Sequence, residues 1–370
     1  MNTRQVITGI SLLVVSATTL AAPLWWQAVL PSSIPDPANN PSSPEKVFLG
    51  QALYFDKRLS ADGTIACASC HLPNQGGDDN VSTSPGVSGL QGTRNAQTVL
   101  NAGLMSAQFW EGREPTLEEQ AKAPLINPVE HGLTSHASVV AIVQGVSGYT
   151  PLFDAAFGGS GQINIDNITK AIAAFERTLL TPNSPYEQFI NGNTAAMTAN
   201  QQTGMALFES LNCVQCHRDV LLARQGAPGQ PFLQLFPKFP ANADFIGFNA
   251  SYDLTSDLGL AEVTGNTSDN NRFKVQSLLN IAETAPYFHN GSVADLDEAV
   301  RIMAAGQLNI TLTQTQVDQL VDFLGTLTGD LPDPQPITVS DGSGPGIPAL
   351  PAGFAVLLIL AIPLLRALKR

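Results

Sequence analysis

Two copies of the pattern C-x-x-C-H constrain this chain more than any other feature. The first is Cys67-Ala68-Ser69-Cys70-His71 and the second is Cys213-Val214-Gln215-Cys216-His217. In this pattern two thiols add across the vinyl groups of a haem, and the adjoining histidine becomes an axial ligand of the iron. The two copies use all 4 cysteines, so none is left for a disulfide or a structural zinc. We therefore predict two covalently bound haem c groups.

The net charge of the chain limits the kinds of molecule that it can bind. Charged residues make up only 13% of the chain, and the formal net charge is −13 at pH 7. No basic run is available to neutralise phosphates, which argues against a nucleic-acid partner. An acidic surface suits a redox protein that meets a small cytochrome c or a cupredoxin, although the charge alone does not name the donor.

The N-terminal segment 1–30 has the pattern of a signal peptide or a membrane anchor. A basic start is followed by an uncharged, largely apolar run through Leu30. Small residues around Ala22 resemble a signal-peptidase site, whereas Trp25 and Trp26 prolong the apolar stretch, as in an uncleaved anchor. Covalent haem attachment takes place outside the bacterial inner membrane, so both alternatives predict a periplasmic protein.

A second apolar segment, 347–370, closes the chain. Its run from Ile347 to Leu365 is long enough to span a bilayer and ends on Arg366 and two further basic residues. By the positive-inside rule the basic ends of both terminal segments are cytoplasmic, and the chain between them is outside. The segment also resembles a cleavable C-terminal sorting signal of Gram-negative bacteria. We therefore expect a hydrophobic C-terminal helix that tethers the protein to the membrane at some stage.

Between the terminal segments the sequence predicts a mainly α fold, because no run of alternating β-branched residues is long enough to indicate a sheet. Apolar residues recur at helical spacing over residues 45–56, 135–146, 166–179, 195–211, 296–304 and 313–326. Each C-x-x-C-H motif is expected to begin a cytochrome c-like domain with long loops. The predicted domains are 45–185 and 186–330, flanked by Pro-rich linkers at 31–44 and 331–346.

Longer stretches of the sequence resemble the bacterial di-haem cytochrome c peroxidase and MauG family. The resemblance covers about residues 45 to 328, and the similar stretches occur in the family's order. They are LYFDKRLS (53–60), RNAQTVLN (94–101), QFWEGR (108–113), EEQA (118–121), NPVE (127–130), AIAAFERTL (171–179) and TAPYFH (284–289).

The resemblance implies different tasks for the two haems. In the family the N-terminal haem is the peroxidatic centre and the C-terminal haem receives electrons. His71 and His217 match the proximal ligands of the first and second iron, and Met303 matches the distal ligand of the second. A thioether ligand raises the potential of a haem. MauG-type enzymes are similar but have a tyrosine at this position, so Met303 favours the peroxidase branch.

The same resemblance implies a catalytic group around the first haem. Glu130 matches the acid–base residue and Gln120 its neighbour over the distal face. Splitting the O–O bond of hydrogen peroxide requires a proton to move from one oxygen to the other, and a positioned carboxylate can move it. Trp110 matches the tryptophan between the haems, which offers a route for electrons.

A calcium site between the domains is also implied. Asn95, Thr284 and Pro286 match its ligands in the family. One side-chain carbonyl and two backbone carbonyls, completed by waters, suit a hard cation. We expect modest affinity for calcium, because none of these ligands is a carboxylate.

One position departs from the family pattern. In many members a histidine in the loop after the first haem occupies the distal position of the resting iron, and the matching residue here is Val87. No histidine lies between residues 72 and 107. We therefore hypothesise that the first haem keeps an open distal position in the diferric state and needs no reductive activation. The alternative is that His131 or His136 supplies a replacement ligand.

The sequence thus predicts a periplasmic di-haem cytochrome c peroxidase that reduces hydrogen peroxide to water. One alternative is a MauG-like enzyme that oxidises side chains of a partner protein. Another is an electron-transfer cytochrome without catalysis, against which Glu130 and Gln120 argue, because an electron carrier needs no proton shuttle. Homodimers are common in the family, so the resemblance leaves a homodimer open.

Overall fold

The computed structural model describes residues 29–223, 236–242 and 245–341. Almost all of the predicted N-terminal signal or anchor, 1–30, and the whole of the hydrophobic segment 347–370 lie outside the described residues. In the part of the chain that is described, no helix combines the length and the apolar character needed to cross a membrane.

The described residues form helices joined by long loops and contain no named strand, with only isolated β-bridges between loops. The prediction of a mainly helical fold is therefore confirmed. The α-helices, in chain order, are α1 Pro44–Tyr54, α2 Cys67–Cys70, α3 Leu117–Gln120, α4 Lys122–Ile126, α5 His136–Gly145, α6 Tyr149–Phe157, α7 Ile165–Glu176, α8 Pro185–Ile190, α9 Ala199–Ser210, α10 Ile246–Tyr252, α11 Ala261–Thr264, α12 Leu296–Met303 and α13 Gln314–Gly325. Each helix predicted from apolar spacing is present within a few residues of its expected ends.

Side-chain caps explain where several of these helices begin. The Ser43 hydroxyl accepts a hydrogen bond from the backbone N–H of Lys46, and Pro44 occupies the first turn of α1. Thr313 caps α13 in the same way, and its own backbone N–H donates to the side-chain oxygen of Gln316. Such caps satisfy N–H groups that have no partner inside the helix.

The first hydrophobic core is built around the crossing of α1 and α7, with Leu49, Leu53 and Phe175 among its buried members. Gly50 permits the close approach of these two helices. A Cβ at Gly50 would lie 1.9 Å from the carbonyl oxygen of Ala171 and 2.9 Å from Cβ of Phe175. Because no side chain fits there, the contact depends on glycine.

The second core repeats this arrangement with α9 and α13. A Cβ at Gly204 would lie 1.9 Å from the carbonyl oxygen of Gln319 and 2.9 Å from Cβ of Phe323. In each core, the C-x-x-C-H motif follows the first helix of the pair. The described chain therefore contains two structurally equivalent helix pairs, each next to one haem motif.

The loops repeat as well as the helices. Residues 97–101 read Gln-Thr-Val-Leu-Asn and residues 276–280 read Gln-Ser-Leu-Leu-Asn. Both segments end in a left-handed asparagine, with φ of +59° at Asn101 and +60° at Asn280. The two asparagine amides donate to the same acceptor, Thr181 Oγ1, at 2.9 Å each. The two halves of the molecule thus meet at Thr181.

The equivalence continues into the next turn of each half. Phe109 and Phe288 both adopt positive φ, at +67° and +68°. Trp110 and His289 follow at matching positions, and their ring centroids are 6.3 Å apart in an edge-to-face arrangement. Trp110 therefore lies at the junction between the two halves.

The two segments predicted as linkers are not helical, yet both pack against the first half. Asn40 is fully buried, and its amide donates to Glu118 Oε1 at 2.7 Å. In the second segment Val339 is a buried member of the first core, and Gly148 N–H donates to the Ser340 carbonyl at 3.1 Å. These polar and apolar contacts hold both segments on the surface of the first core.

Candidate haem sites and the pocket beside the first motif

The first C-x-x-C-H motif forms the single turn of α2, and both of its thiols are free of disulfide. His71 follows this turn, and its Nδ1 lies 2.8 Å from the carbonyl oxygen of Gln97. A neutral imidazole that donates Nδ1–H has its lone pair on Nε2, which is the tautomer that a metal ligand requires. Burial lowers the pKa of His71 and so favours this neutral form.

The second motif presents its histidine in the same way. His217 Nδ1 lies 3.0 Å from the carbonyl oxygen of Leu222. Burial lowers the pKa of His217 to about 4, and burial raises the pKa of Cys213 to about 11. Free thiols and a neutral imidazole with Nε2 available are the groups that attach a c-type haem, so both motifs fit the group that the sequence predicts.

Glu130 lies next to the first motif. It ends the turn that follows α4, and its Oε1 accepts a hydrogen bond of 2.8 Å from the Asn127 amide. Burial raises the pKa of the Glu130 carboxyl, while the positive charge of Arg113 opposes this shift. The negative charge of Glu130 in turn contributes to the raised pKa of Cys67 and Cys70, because it lies close to both thiols. A half-buried carboxyl of this kind can both accept and release a proton.

Val87 lies against the backbone of this carboxylate. Its N–H donates to the carbonyl oxygen of Glu130 at 3.0 Å, and its side chain is only 6% exposed. The preceding Gly86 allows the contact, since a Cβ there would lie 1.8 Å from the Val129 carbonyl oxygen. The loop that carries Val87 is therefore fixed on the turn that carries Glu130, with an apolar side chain at this position.

The two candidate replacement histidines are held by backbone carbonyls. His136 lies at the start of α5, and its Nε2 is 3.1 Å from the Lys122 carbonyl. His131 is buried, and its Nδ1 lies 2.7 Å from the Leu59 carbonyl. Each histidine therefore has one nitrogen, Nδ1 of His136 and Nε2 of His131, that is not engaged by these contacts, and both alternatives stay open.

Gln120 is the last residue of α3 and is half-buried. Thr116 caps this helix by accepting from the backbone N–H of Glu119. Helix α4 begins two residues after Gln120 and leads directly into the Glu130 turn. Gln120 therefore lies two residues before the start of α4, and Glu130 lies four residues after its end.

Trp110 and Met303 pack against the same hydrophobic cluster, although they come from opposite halves of the chain. The cluster contains the buried side chains of Phe239, Phe245 and Phe273. The indole N–H of Trp110 donates to the Asn95 carbonyl at 2.9 Å, which fixes the ring on the first half. Met303 ends α12 and is followed by a π-helical turn, a feature that is frequent at functional sites.

The residues predicted to hold calcium lie on neighbouring loops. Asn95 is buried, and its amide donates to the Val81 carbonyl at 3.0 Å. The adjoining Asn80 donates to the carbonyls on either side of Thr284, at 2.7 and 3.3 Å, and Pro286 follows. Among the described residues no group of three or more His, Cys, Asp or Glu side chains is placed to hold a metal ion. A cation here would depend on amide and backbone oxygens.

Several polar residues near the junction have no role assigned from the sequence. Arg94 donates from Nε to Asp257 at 2.6 Å and from Nη2 to Glu262 at 2.9 Å, and it also pairs with Glu111. Burial lowers the pKa of Lys274 to about 7, and its backbone N–H donates to the Trp110 carbonyl at 2.8 Å. Arg94 stands at the start of a quoted family stretch, but only the structure shows that two of its partners, Asp257 and Glu262, lie in the other half.

Comparisons with known proteins show which family and which individual proteins this chain resembles. The sequence model of the family described as di-haem cytochrome c peroxidase matches residues 44–195. Cytochrome c551 peroxidase from Nitrosomonas europaea is 40% identical over 299 residues, which cover 81% of this chain and 84% of that protein. Methylamine utilization protein MauG from Methylophilus methylotrophus is 32% identical over 339 residues, which cover 86% of this chain and 95% of that protein.

A solved structure has the same architecture. It is that of a MauG-like protein associated with microbial copper homeostasis, with a TM-score of 0.70 and 32% sequence identity. The match covers 81% of this chain and 95% of that chain.

Proposed function

Because the chain belongs to the di-haem cytochrome c peroxidase and MauG family, we propose that it reduces hydrogen peroxide to two waters with electrons from a small redox protein. The relatives confirm the family and the enzyme class, cytochrome c peroxidase, that the sequence predicts. Membership in this family also implies two haem c groups. The observation that carries the proposal is the carboxylate of Glu130, held beside the first haem motif by Asn127 and by the Val87 loop.

The two haems, when bound, supply the one-electron redox chemistry that amino-acid side chains lack. Cys67 and Cys70 would hold the first haem, and Cys213 and Cys216 would hold the second. His71 and His217 would be their iron ligands through Nε2, because each Nδ1 is committed to a backbone carbonyl. Met303 would be a further ligand of the second haem.

Glu130 moves the proton. Its carboxylate accepts a proton from one oxygen of hydrogen peroxide and returns it to the other, so that the oxygen that departs leaves as water. Two electrons from the donor and two protons from solvent complete the conversion of one peroxide into two waters. Asn127 keeps the carboxylate in place, and Gln120 helps to orient the substrate.

Trp110 carries electrons between the halves. Its indole is bonded to Asn95 in the first half, and its ring packs against the cluster that also contacts Met303. A haem held by the second motif would receive electrons from the donor, and Trp110 would offer the route from there toward the first motif. Acidic residues exceed basic ones by 31 to 18, which suits a small cytochrome c or cupredoxin as the donor.

The remaining sequence predictions complete the proposal. The units 45–185 and 186–330 are the two haem domains, and Asn95, Thr284 and Pro286 hold one calcium ion between them. The protein works in the periplasm, and the segments 1–30 and 347–370 direct it there or tether it to the membrane. Assembly into a homodimer is left to direct measurement.

The test is turnover by the purified protein with both haems attached. Reduced small cytochrome c is mixed with hydrogen peroxide, and donor oxidation and peroxide loss are followed together. We expect two donor molecules to be oxidised for each peroxide consumed. A protein that accepts electrons from the donor but does not pass them to peroxide would be an electron-transfer cytochrome, and this result would overturn the proposal.

A further inference from the structure

Hydrogen bonds and short covalent segments together connect the two haem-ligating histidines through two consecutive residues, Gln276 and Ser277. It begins at His71, whose Nδ1 lies 2.8 Å from the Gln97 carbonyl. The side-chain amide of the same Gln97 donates to Gln276 Oε1, which belongs to the other half of the chain. Gln276 is itself held, because its amide donates to the Lys274 carbonyl at 3.0 Å.

The next residue continues the series toward the second histidine. The Ser277 hydroxyl donates to the Leu221 carbonyl at 2.9 Å, and the N–H of Leu278 donates to the same carbonyl at 3.2 Å. The adjoining Leu222 offers its carbonyl to His217 Nδ1 at 3.0 Å. One peptide unit therefore joins two residues. Gln276 holds the side chain of Gln97, whose own carbonyl faces His71. Ser277 holds the Leu221 carbonyl, which is next to the Leu222 carbonyl that faces His217.

Most of this series is shielded from water. Ser277, Leu221 and Leu222 are buried, and Gln97 and Gln276 are half-buried at the junction of the two halves. Water competes poorly for buried hydrogen bonds, so their geometry is fixed by the protein. The two halves differ in one respect. The residues near the acceptor of His217 all come from the second half, whereas the side chain of Gln97, whose carbonyl faces His71, is held by Gln276 from the opposite half.

The carbonyl that accepts a hydrogen bond from Nδ1–H of a haem-ligating histidine affects the midpoint potential of the iron. The bond from Nδ1–H to a carbonyl orients the imidazole and makes it a stronger ligand. A stronger imidazole ligand stabilises the oxidised iron and lowers its midpoint potential. A residue that fixes the accepting carbonyl therefore influences the iron without touching it.

We propose that Gln276 and Ser277 are positioning residues that couple the two haems: Gln276 sets the ligand strength of His71 from across the junction, and Ser277 sets that of His217. The proposal rests on the proposed function only in that both motifs carry haem. A change in the strain on one histidine reaches the other through one peptide unit, and such coupling is reciprocal.

The test compares Gln276→Leu and Ser277→Ala with the wild-type holoprotein. Gln144→Leu, an exposed glutamine on α5, is the matched control for loss of an amide. The readouts are the iron–histidine stretching band of the ferrous protein by resonance Raman spectroscopy and the midpoint potential of each haem by spectroelectrochemistry. Neither readout requires peroxidase activity, so failure here is separate from failure of the proposed function.

We expect Gln276→Leu to move the first haem's iron–histidine band to lower frequency and its potential upward, with a smaller change at the second haem. Ser277→Ala should raise the potential of the second haem, with a smaller change in the potential of the first. Each substitution should also reduce the dependence of the first haem's potential on the oxidation state of the second. Fully loaded variants in which both potentials and the band match those of Gln144→Leu would overturn the proposal. If Gln276→Leu fails to retain haem, an unchanged second-haem potential in Ser277→Ala is sufficient to reject it.

Discussion

The two haem motifs are alike around their histidines, whereas the residues that the proposed function assigns to the distal side of each haem are different. His71 and His217 each point Nδ1 at a backbone carbonyl, at 2.8 and 3.0 Å, and both sit beside a helix pair brought together by a glycine. Beside the first motif lie Glu130 and the aliphatic Val87. In the second half, Met303 packs with a cluster of phenylalanines.

This difference indicates how one repeated frame supports two tasks. The shared frame supplies attachment and a neutral histidine, which both haems need. In the proposed function, a half-buried carboxyl with a raised pKa would add proton transfer at the first site. A thioether in apolar surroundings would add no proton chemistry but would favour the reduced iron at the second. We infer that the residues opposite the histidines, rather than the frame, decide which haem reacts with peroxide.

The largest effect is expected from Glu130→Gln, which removes the proton carrier and keeps the size of the side chain. Peroxide turnover should fall on the order of 10²–10⁴-fold, the usual contribution of a general acid–base group. Donor reduction of the second haem should be unaffected. Glu119→Gln, an exposed carboxylate paired with Lys122, is the control. Near-normal turnover in Glu130→Gln would remove the chemical distinction between the two sites.

A second substitution is designed to close the distal position of the first iron to peroxide. Val87→His places an imidazole on the loop fixed against Glu130, where it should bind the first iron in the diferric state. The rate with peroxide should then fall in proportion to the fraction of molecules left open, about 100-fold if 1% remain so. Reduction of the second haem should restore the rate if it releases this histidine. Leu90→His, at an exposed position of the same loop, is the control, and equal behaviour of the two variants would contradict the assignment of Val87.

Met303→Leu tests the second site. Axial ligands set haem potentials over about 0.8 V, and we expect loss of the thioether to lower the second haem's potential by on the order of 0.2 V. The spectrum of the first haem should stay as it is. Spectroelectrochemistry of both haems checks this, with Met205→Leu on α9 as the control. If only the potential of the first haem shifted, Met303 would act on the first haem, and its assignment to the second would be contradicted.

The smallest expected effect is a shift in the pH at which kcat/KM declines. Burial raises the pKa of Glu130, and the Arg113 charge restrains that rise. The proton-accepting form is therefore lost as pH falls through the raised value, and kcat/KM should decline there. Arg113→Gln removes the restraint, so the decline should begin at higher pH, by about half a unit because exposed charges are screened. Arg58→Gln is the control, since Arg58 pairs with Asp56 instead. A shift toward lower pH would contradict the sign.

Much of this comparison was predictable from the sequence, because its signals are local. The C-x-x-C-H spacing identifies the haem sites, and apolar periodicity locates helices such as α7 and α13. The Asn-Pro-Val-Glu stretch singles out Glu130, and the structure places it beside the first motif. The terminal segments 1–30 and 347–370 were also predicted from local patterns. The second lies outside the described residues, and so does almost all of the first.

The contacts across the junction were not predictable, because they join residues far apart in the chain. Nothing in the sequence pairs Arg94 with Asp257 or Gln97 with Gln276. The repeat of Gln-Thr-Val-Leu-Asn as Gln-Ser-Leu-Leu-Asn was visible in the sequence, but five residues do not distinguish a structural repeat from coincidence. The shared acceptor Thr181 gives that repeat its meaning.

The most direct test of the central difference is the state of the first haem in the diferric protein as isolated. EPR and visible spectra are recorded before and after one equivalent of hydrogen peroxide is added. We predict one high-spin ferric haem, one low-spin haem and immediate reaction with peroxide. Two low-spin haems that ignore peroxide until the second is reduced would contradict an open site beside Val87. His131, whose Nε2 is not committed by its bond to Leu59, would then be the ligand to replace first.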